Sequence, residues 1–378
     1  MDTSPSSDNT AALDRLRRAF ASIPDRRQPG KIEHRLDEIF VGSLCAMLCG
    51  FSHYTSMAEF FALQLRWLRG FLTLENGAPS HDVIRNAFMA VRPESFVEIL
   101  AAWAGDLDGV HVAIDGKVQR SALDAGGSVH VLRAWVDGLS LSAGQAACAA
   151  KSNEIEAIPR LLDSLQLKGA TVTIDAAGCQ TAIAAQIDEA GASYVLALKA
   201  NQPQALEAVS SHFASASENL LYHCTEERSH GRYEKRECSV QANLSWFGKS
   251  WKWPGIKCVA HLRSTTVRPG STGTDGREAV VENHYYLCSV EPDAMRLAAL
   301  VRGHWGIENR CHWTLDVTFG EDLCGTRDAT ASRNLSSMRE MAIAMLRAHP
   351  SKKTLPLKQQ QAALDQNFRL ALLEKFHA

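Results

Sequence analysis

No excess of either charge runs through this chain: 40 lysines and arginines face 42 aspartates and glutamates, a formal balance of −2. A uniformly basic nucleic-acid coat is excluded, although local basic patches are not. Such patches occur at Arg15, Arg17 and Arg18, at Arg26 and Arg27, at Arg228, Arg232, Lys235 and Arg236, and at Lys352, Lys353 and Lys358. Each also fits a solvated helix face or loop. Long hydrophobic runs are missing too; the most apolar stretch, Ile39 to Phe51, is too short to span a bilayer. The ten cysteines contain no C-x-x-C pair, and nothing resembles a secretory signal. Reduced thiols in a cytoplasm are the simplest account. There is no internal repeat and no long low-complexity segment. Met1 to Asn9 is polar and reads as a frayed end. A soluble cytoplasmic protein is expected.

What is present is ordinary globular material, 46% apolar and 22% charged, and 378 residues allow two or three structural units. Residues 10–105 predict an N-terminal helical domain. Leu13, Leu16 and Phe20 keep helix spacing, Leu36 to Cys49 is a strongly apolar helix, and another runs from about Ser56 to Leu68. In GAPSHDVIRNAFMAV, Ser80 can cap a helix with Val83, Ile84, Ala87 and Phe88 inward and Arg85 outward. That helix fits either the second half of a helix-turn-helix or a small bundle. Ser95 to Trp103 closes the region, and Gly105 to Gly109 is a linker.

From Val110 the period changes from helical to two. VHVAIDGK alternates apolar residues and ends by presenting Asp115 beside Gly116. Val129 to Val136 and Leu139 to Ala147 flank Asp137-Gly138, a hairpin signal. Asn153 and Glu156 resemble a capping box for a helix with Ile155, Ile158, Leu161, Leu162 and Leu165 on its apolar face. A strand from Ala170 to Ala176 repeats the apolar-then-acid ending at Asp175. A helix from Cys179 to Ala190 and a strand from Ser193 to Lys199 follow. Three strands, helix, strand, helix, strand is the ribonuclease-H-like order, in which the first and fourth strands lie side by side and bring Asp115 to Asp175.

The expected architecture is therefore α/β. A ribonuclease-H-like core with a mixed five-stranded sheet spans 110–200 and 291–348, a mostly β insertion occupies 201–290, and a C-terminal helix covers 349–378. Within the insertion, Gln204 to Phe213 is helical. Strands follow near 221–226, 233–241, 257–267 and 280–290, with turns at His230-Gly231 and Pro269 to Gly276. Beyond Asp293, His304, Glu308 and His312 lie four apart, on one helix face, beside Trp305 and Trp313. Helices near 329–348 and 357–376 finish the chain.

Two strand carboxylates and one from a helix suit a pair of hard divalent ions, Mg2+ or Mn2+, held by Asp115, Asp175 and Glu308. Such a pair supports in-line displacement at a phosphodiester without a protein nucleophile. A zinc site at His304 and His312 lacks H-E-x-x-H spacing and a third ligand. Glycosidase chemistry also uses paired carboxylates but leaves the strand order unexplained.

The ordered blocks LCGFSHYTSMAEF, GAPSHDVIRNAF, AIDGK, KSNEIEAIPRLLDSLQLKGATVTIDAAGCQ, LALKANQP, HGRYEKRE and RGHWGIENRCHWTLDVTFGED resemble the ISAs-type DDE transposases of bacterial insertion sequences, a group that includes the H-repeat-associated proteins. The resemblance covers nearly the whole chain. It implies metal-dependent cleavage and strand transfer at insertion-sequence ends, with Asp115, Asp175 and Glu308 as the catalytic and metal-binding triad. It also implies partners: double-stranded DNA with terminal inverted repeats, target DNA, and further copies of the chain in the DNA complex. The setting it implies is a bacterial cytoplasm, at the nucleoid when bound to DNA. The Tyr, Arg and Lys that surround the glutamate in a related group are replaced by Val301, His304 and Leu315. Arg302 is a substitute phosphate contact, and Lys199, Asn201, Gln202, His304 and His312 are candidate DNA contacts. Glu321 and Asp322 are nearby acidic alternatives to Glu308. The competing functions are an inactive or domesticated DNA-binding repeat protein and a structure-specific ribonuclease-H-like nuclease.

Overall fold

A computed structural model describes residues 7–119, 129–148, 154–215, 219–229, 232–248, 253–267 and 279–377. The start of the chain before Ser7, the Asn153 cap and the turns at His230-Gly231 and Pro269 to Gly276 lie outside the described residues. Helices α1 (Ser7–Ala21), α2 (Leu36–Leu48), α3 (Tyr54–Leu63), α4 (Leu65–Leu68), α5 (His81–Ala90) and α6 (Pro93–Ala104) come first. Then follow β1 (His111–Gln119), β2 (Val129–Val136), β3 (Leu141–Cys148), α7 (Glu154–Asp163), β4 (Thr171–Ile174), α8 (Thr181–Glu189), β5 (Ser193–Leu198) and α9 (Pro203–Ser215). The strands β6 (Leu221–Ser229), β7 (Arg232–Gln241), β8 (Cys258–Val267) and β9 (Ala279–Cys288) lead into α10 (Ala294–His304) and a π-helical segment, Ile307–His312. Last are α11 (Trp313–Val317), α12 (Ala329–Ala348), α13 (Leu355–Leu364) and α14 (Gln366–Leu373). The result is mixed α/β with a large mixed sheet.

The chain divides into two compact units. One contains the residues up to Asp106, then Gly116–Asn153 and Glu308–Ala378. Its centre is helical: every residue of α2 is buried, and α12 is buried along most of its length. Phe20, Phe40, Phe88 and Phe96 pack with ring centroids 5.0–6.1 Å apart, tilted or edge-on except for Phe88 and Phe96, which stack. Ser80 caps α5, its hydroxyl accepting from Val83 N–H at 3.3 Å. Asn334 of α12 donates to the Phe88 and Val91 carbonyls, both at 2.8 Å, so α5 is built into the bundle. The Asp137-Gly138 hairpin joins β2 and β3, with Ser140 taking the left-handed conformation of the turn at φ 56°. The single C-terminal helix expected over 349–378 is instead two. Asp365 leaves the helical conformation at ψ 109°, and its carboxylate caps α14 through the Asn367 and Phe368 N–H groups.

The second unit contains Leu107–Asp115 and Glu154–Ile307. Its strands run in the order β1-β4-β5-β9-β8-β7-β6. β1, β4 and β5 are parallel, and the later neighbours are antiparallel. The insertion strands therefore extend the sheet of β1, β4 and β5 through β9 on β5. Leu297, Leu300 and Val301 of α10 pack on this sheet with Val195, Val240, Ala260 and Tyr286. No described helix is long and apolar enough to cross a membrane.

Candidate active site

Parallel pairing fixes two acids beside each other. Ile114 of β1 is registered on Ile174, the last residue of β4, so Asp115 and Asp175 each follow directly on a paired position. Neighbouring strands run about 4.8 Å apart, and side chains alternate faces, so both carboxylates leave the same face of the sheet. Both residues are partly buried. β1 does not stop at Asp115 but runs on to Gln119. The sequence obscured this because the inward positions beyond Asp115 are the polar Lys117 and Gln119, both buried.

Asp175 leaves β4 and opens a tight turn, Ala176–Gly178, where its carboxylate accepts from Ala177 N–H at 3.0 Å. Burial pushes its pKa above the ordinary aspartate range, and the nearby Glu154 charge adds to the shift; the Ala177 and Gly178 N–H groups and Lys199 oppose it. Glu154, the buried first residue of α7, was not picked out by sequence reasoning. An acid in a first helical turn ordinarily complements the helix dipole, so its type and position gave no signal.

The residues after β5 brace this turn. Asn201 donates to the Ala176 carbonyl at 2.6 Å, and Gln202 to the Cys179 carbonyl at 3.0 Å. These two amides, expected at DNA, are engaged in holding the Asp175 loop, whereas Lys199 is exposed. Asn201→Ala is expected to leave the melting temperature within about 2 °C and to lower divalent-ion affinity by about tenfold, the lower end for losing one outer-shell partner. Calorimetric titration with Mn2+ measures it.

α10 docks on the same sheet face. His111 Nε2 lies 2.9 Å from Thr173 Oγ1, and His304 Nδ1 lies 3.0 Å from that same hydroxyl. A Cβ on Gly303 would come within 2.8 Å of the His111 ring, so any larger residue would have to displace that ring. Burial, reinforced by His111, pushes the His304 pKa down to about 4, leaving the ring neutral at physiological pH. Arg302 grips Glu227 of β6 through two hydrogen bonds, 2.6 and 2.9 Å, with Arg236 behind it.

In the other unit, Glu308 is exposed and sits in the π-helical segment. The wider winding of that segment breaks the four-residue face expected for His304, Glu308 and His312. His304 and His312 are partly buried, whereas Glu308 is exposed. Burial, then the Arg133 and Lys117 charges, hold the His312 pKa down at about 3. Val301 and Leu315 are core residues, whereas Trp305 and Trp313 are exposed. Arg310 pairs with Asp137 at 2.9 Å.

The acidic alternatives to Glu308 are occupied by a lysine. Lys117 Nζ donates to Asp316 and, at 2.7 Å, to Glu321, and Asp322 lies 3.8 Å away. Glu321 is fully buried and also faces Arg339 at 3.6 Å. Burial opposes its ionisation, but Lys117, Arg133 and Arg339 overcome that and hold its pKa at about 2. A depressed carboxylate contributes stability that is complete above its unfolded pKa, about 4.3, and is lost as pH falls through the folded value. Acid unfolding is therefore expected to have a component below about pH 4 that disappears in Glu321→Gln, read by circular dichroism against pH. Among the described residues no three His, Cys, Asp or Glu side chains are gathered as a metal cage. The register of β1 on β4 leaves Asp115 and Asp175 each one residue past the Ile114–Ile174 pair.

Comparison with known proteins assigns the chain to a family. A model of the transposase DDE domain matches residues 107–346, and a model of the DDE_Tnp_1-associated region matches residues 17–104. The H repeat-associated putative transposase YhhI of Escherichia coli (strain K12) is 34% identical, covering 96% of this chain and 98% of its own length. Putative transposase YncI of Escherichia coli O157:H7 is 34% identical, covering 86% of this chain and 85% of its own. A solved piggyBac transposase synaptic complex with hairpin DNA aligns over 96% of this chain and 79% of its own, at 10% identity and a TM-score of 0.42. On the family match and the full-length relatives, the chain belongs to the DDE transposase family of insertion sequences.

Proposed function

We propose that this protein is an insertion-sequence transposase that cleaves DNA at transposon ends and transfers the strands to a target, using Asp115, Asp175 and Glu308 to hold two divalent ions. The observation that carries the proposal is the register of Ile114 on Ile174 in a DDE-family chain, each of the two followed directly by an aspartate. The parallel order β1-β4-β5, with a helix before β4 and another before β5, supports a ribonuclease-H-like core. Glu308 lies in the chain just after α10, inside the stretch matched by the DDE-domain model, which supports it as the third carboxylate.

The donor set suits Mg2+ or Mn2+: hard carboxylate oxygens, one of them partly desolvated and crowded by the Glu154 charge. When bound, such a pair supplies activation of the attacking water or 3′-hydroxyl and neutralises charge on the leaving oxygen. The chain's own work is to hold Asp175 by the Ala177 N–H, to brace its turn with Asn201 and Gln202, and to leave Lys199 free to meet a phosphate. Double-stranded DNA with terminal inverted repeats, target DNA and a second copy of the chain are the partners, in the cytoplasm.

The test is cleavage of a duplex carrying the inverted repeats that flank the gene, with Mg2+ or Mn2+. End-specific nicking supports the proposal. Cleavage indifferent to those ends would point to a structure-specific nuclease, and binding without cleavage to a DNA-binding repeat protein. Protons compete with metal at Asp175, whose pKa is raised. Mn2+ affinity is therefore expected to fall on acidification from a higher pH than an ordinary aspartate pair would show, and calorimetry across a pH series measures it.

A further inference from the structure

We propose that Lys117 is a positioning residue for strand cleavage, an inference that rests on the transposase function proposed above. By clamping β1 just beyond Asp115 to α11 and the turn behind it, Lys117 sets where the carboxylate-bearing strand and the helix following Glu308 are held.

Lys117 is only 8% exposed, and its ammonium is surrounded by Asp316, Glu321 and Asp322. A buried ion pair is a poor source of stability, since apolar side chains of similar volume commonly serve as well or better. What an ammonium adds is direction: Nζ has to face both Asp316 and Glu321, so the strand cannot slide or roll without breaking that geometry. The anchor behind it is equally fixed. Glu321 is held by Arg339 of α12, itself 1% exposed.

The placement along the chain matches the role. Lys117 is two residues after Asp115 and points to the same side of β1. Asp316 lies on α11, which continues directly from the π-helical segment carrying Glu308. One side chain thus ties the end of β1 to α11 and to Glu321 behind it. Supporting groups of this kind are what hold metal-binding carboxylates within the fraction of an ångström that phosphoryl chemistry requires.

The experiment compares wild type, Lys117→Met, Lys117→Arg, Asp316→Asn and the double variant Lys117→Met/Asp316→Asn. Each is measured for melting temperature, binding to transposon-end duplex, Mn2+ binding by calorimetry, and cleavage rate. Lys117→Met is expected to bind duplex within about twofold of wild type, to bind Mn2+ about tenfold more weakly and to cleave about a hundredfold more slowly. Lys117→Arg recovers part of both losses. Asp316→Asn shifts both in the same direction, and the double variant is no worse than Lys117→Met, because the two residues act as one clamp. Should Lys117→Met fail to fold, Asp316→Asn carries the test, since Asp316 is 31% exposed and tolerates exchange. Folded variants with wild-type Mn2+ affinity and rate, or losses that simply add, overturn the inference. A wild type that neither binds Mn2+ nor cleaves overturns the proposed function and this inference with it. A wild type that does both, matched by its Lys117 and Asp316 variants, overturns the inference alone.

Discussion

Asp175→Asn is expected to abolish strand cleavage, by at least about a thousandfold, while melting no lower than the wild type in the absence of divalent ions. The two effects share one cause. Burial and the Glu154 charge disfavour the ionised carboxylate in the folded chain. A carboxylate whose folded pKa lies above its unfolded one withdraws stability as pH rises from the unfolded value through the folded one, and the deficit persists at neutral pH. Asparagine keeps an oxygen for the Ala177 N–H and removes the charge, so the apo fold loses nothing and the ion loses a ligand. Such opposition between stability and activity is common where an active site stores unfavourable charge. Cleavage assays and scanning calorimetry of the metal-free protein test both halves. A variant that cuts at the wild-type rate, or one that melts well below it, contradicts the account. Asp115→Asn is expected to lose cleavage similarly.

The largest stability effect is expected at the Arg133 and Glu340 pair. Both side chains are fully buried, 2.6 Å apart, with Arg133 also donating to Ser336 at 2.7 Å and Gln145 donating to Glu340 at 3.0 Å. Arg133→Met would leave Glu340 as a desolvated charge and is expected to cost about 3–5 kcal/mol. The paired exchange Arg133→Met with Glu340→Leu removes both charges together and is expected to recover most of that loss. Denaturant unfolding of the two single variants and the double one gives the coupling directly. Equal losses in the single and double variants would show that packing, rather than an orphaned charge, sets the cost.

Much of the layout was legible in the chain because it rests on local periodicity. Alternation around Val110 to Asp115 and Ala170 to Asp175 located the two acid-bearing strands. Asp137-Gly138 marked the hairpin, and Ser80 marked a helix start. The strand segments of the insertion were likewise found near their observed positions, whereas their attachment to β5 was not, because pairing between distant strands leaves no local pattern. Lys117 and Glu321 are 204 positions apart, so nothing near either one announces their contact. The same distance problem hid Glu154 beside Asp175. Asn201 and Gln202 looked like free amides at the edge of the site, and only the carbonyls of the Asp175 turn reveal their occupation. In Ile307–His312 the spacing was misleading in a different way: residues four apart imply an α-helical face, and the wider winding rotates them off it.

That winding carries an evolutionary signature. A π-helical turn inside a helix arises most simply when one residue is inserted without disturbing the flanks, and such turns cluster at functional positions. Aligned relatives that lack it should carry a gap of one residue between the equivalents of His304 and His312. Deleting a single residue there would restore regular coiling and swing the Glu308 carboxylate about 100° around the helix axis, away from whatever it now addresses.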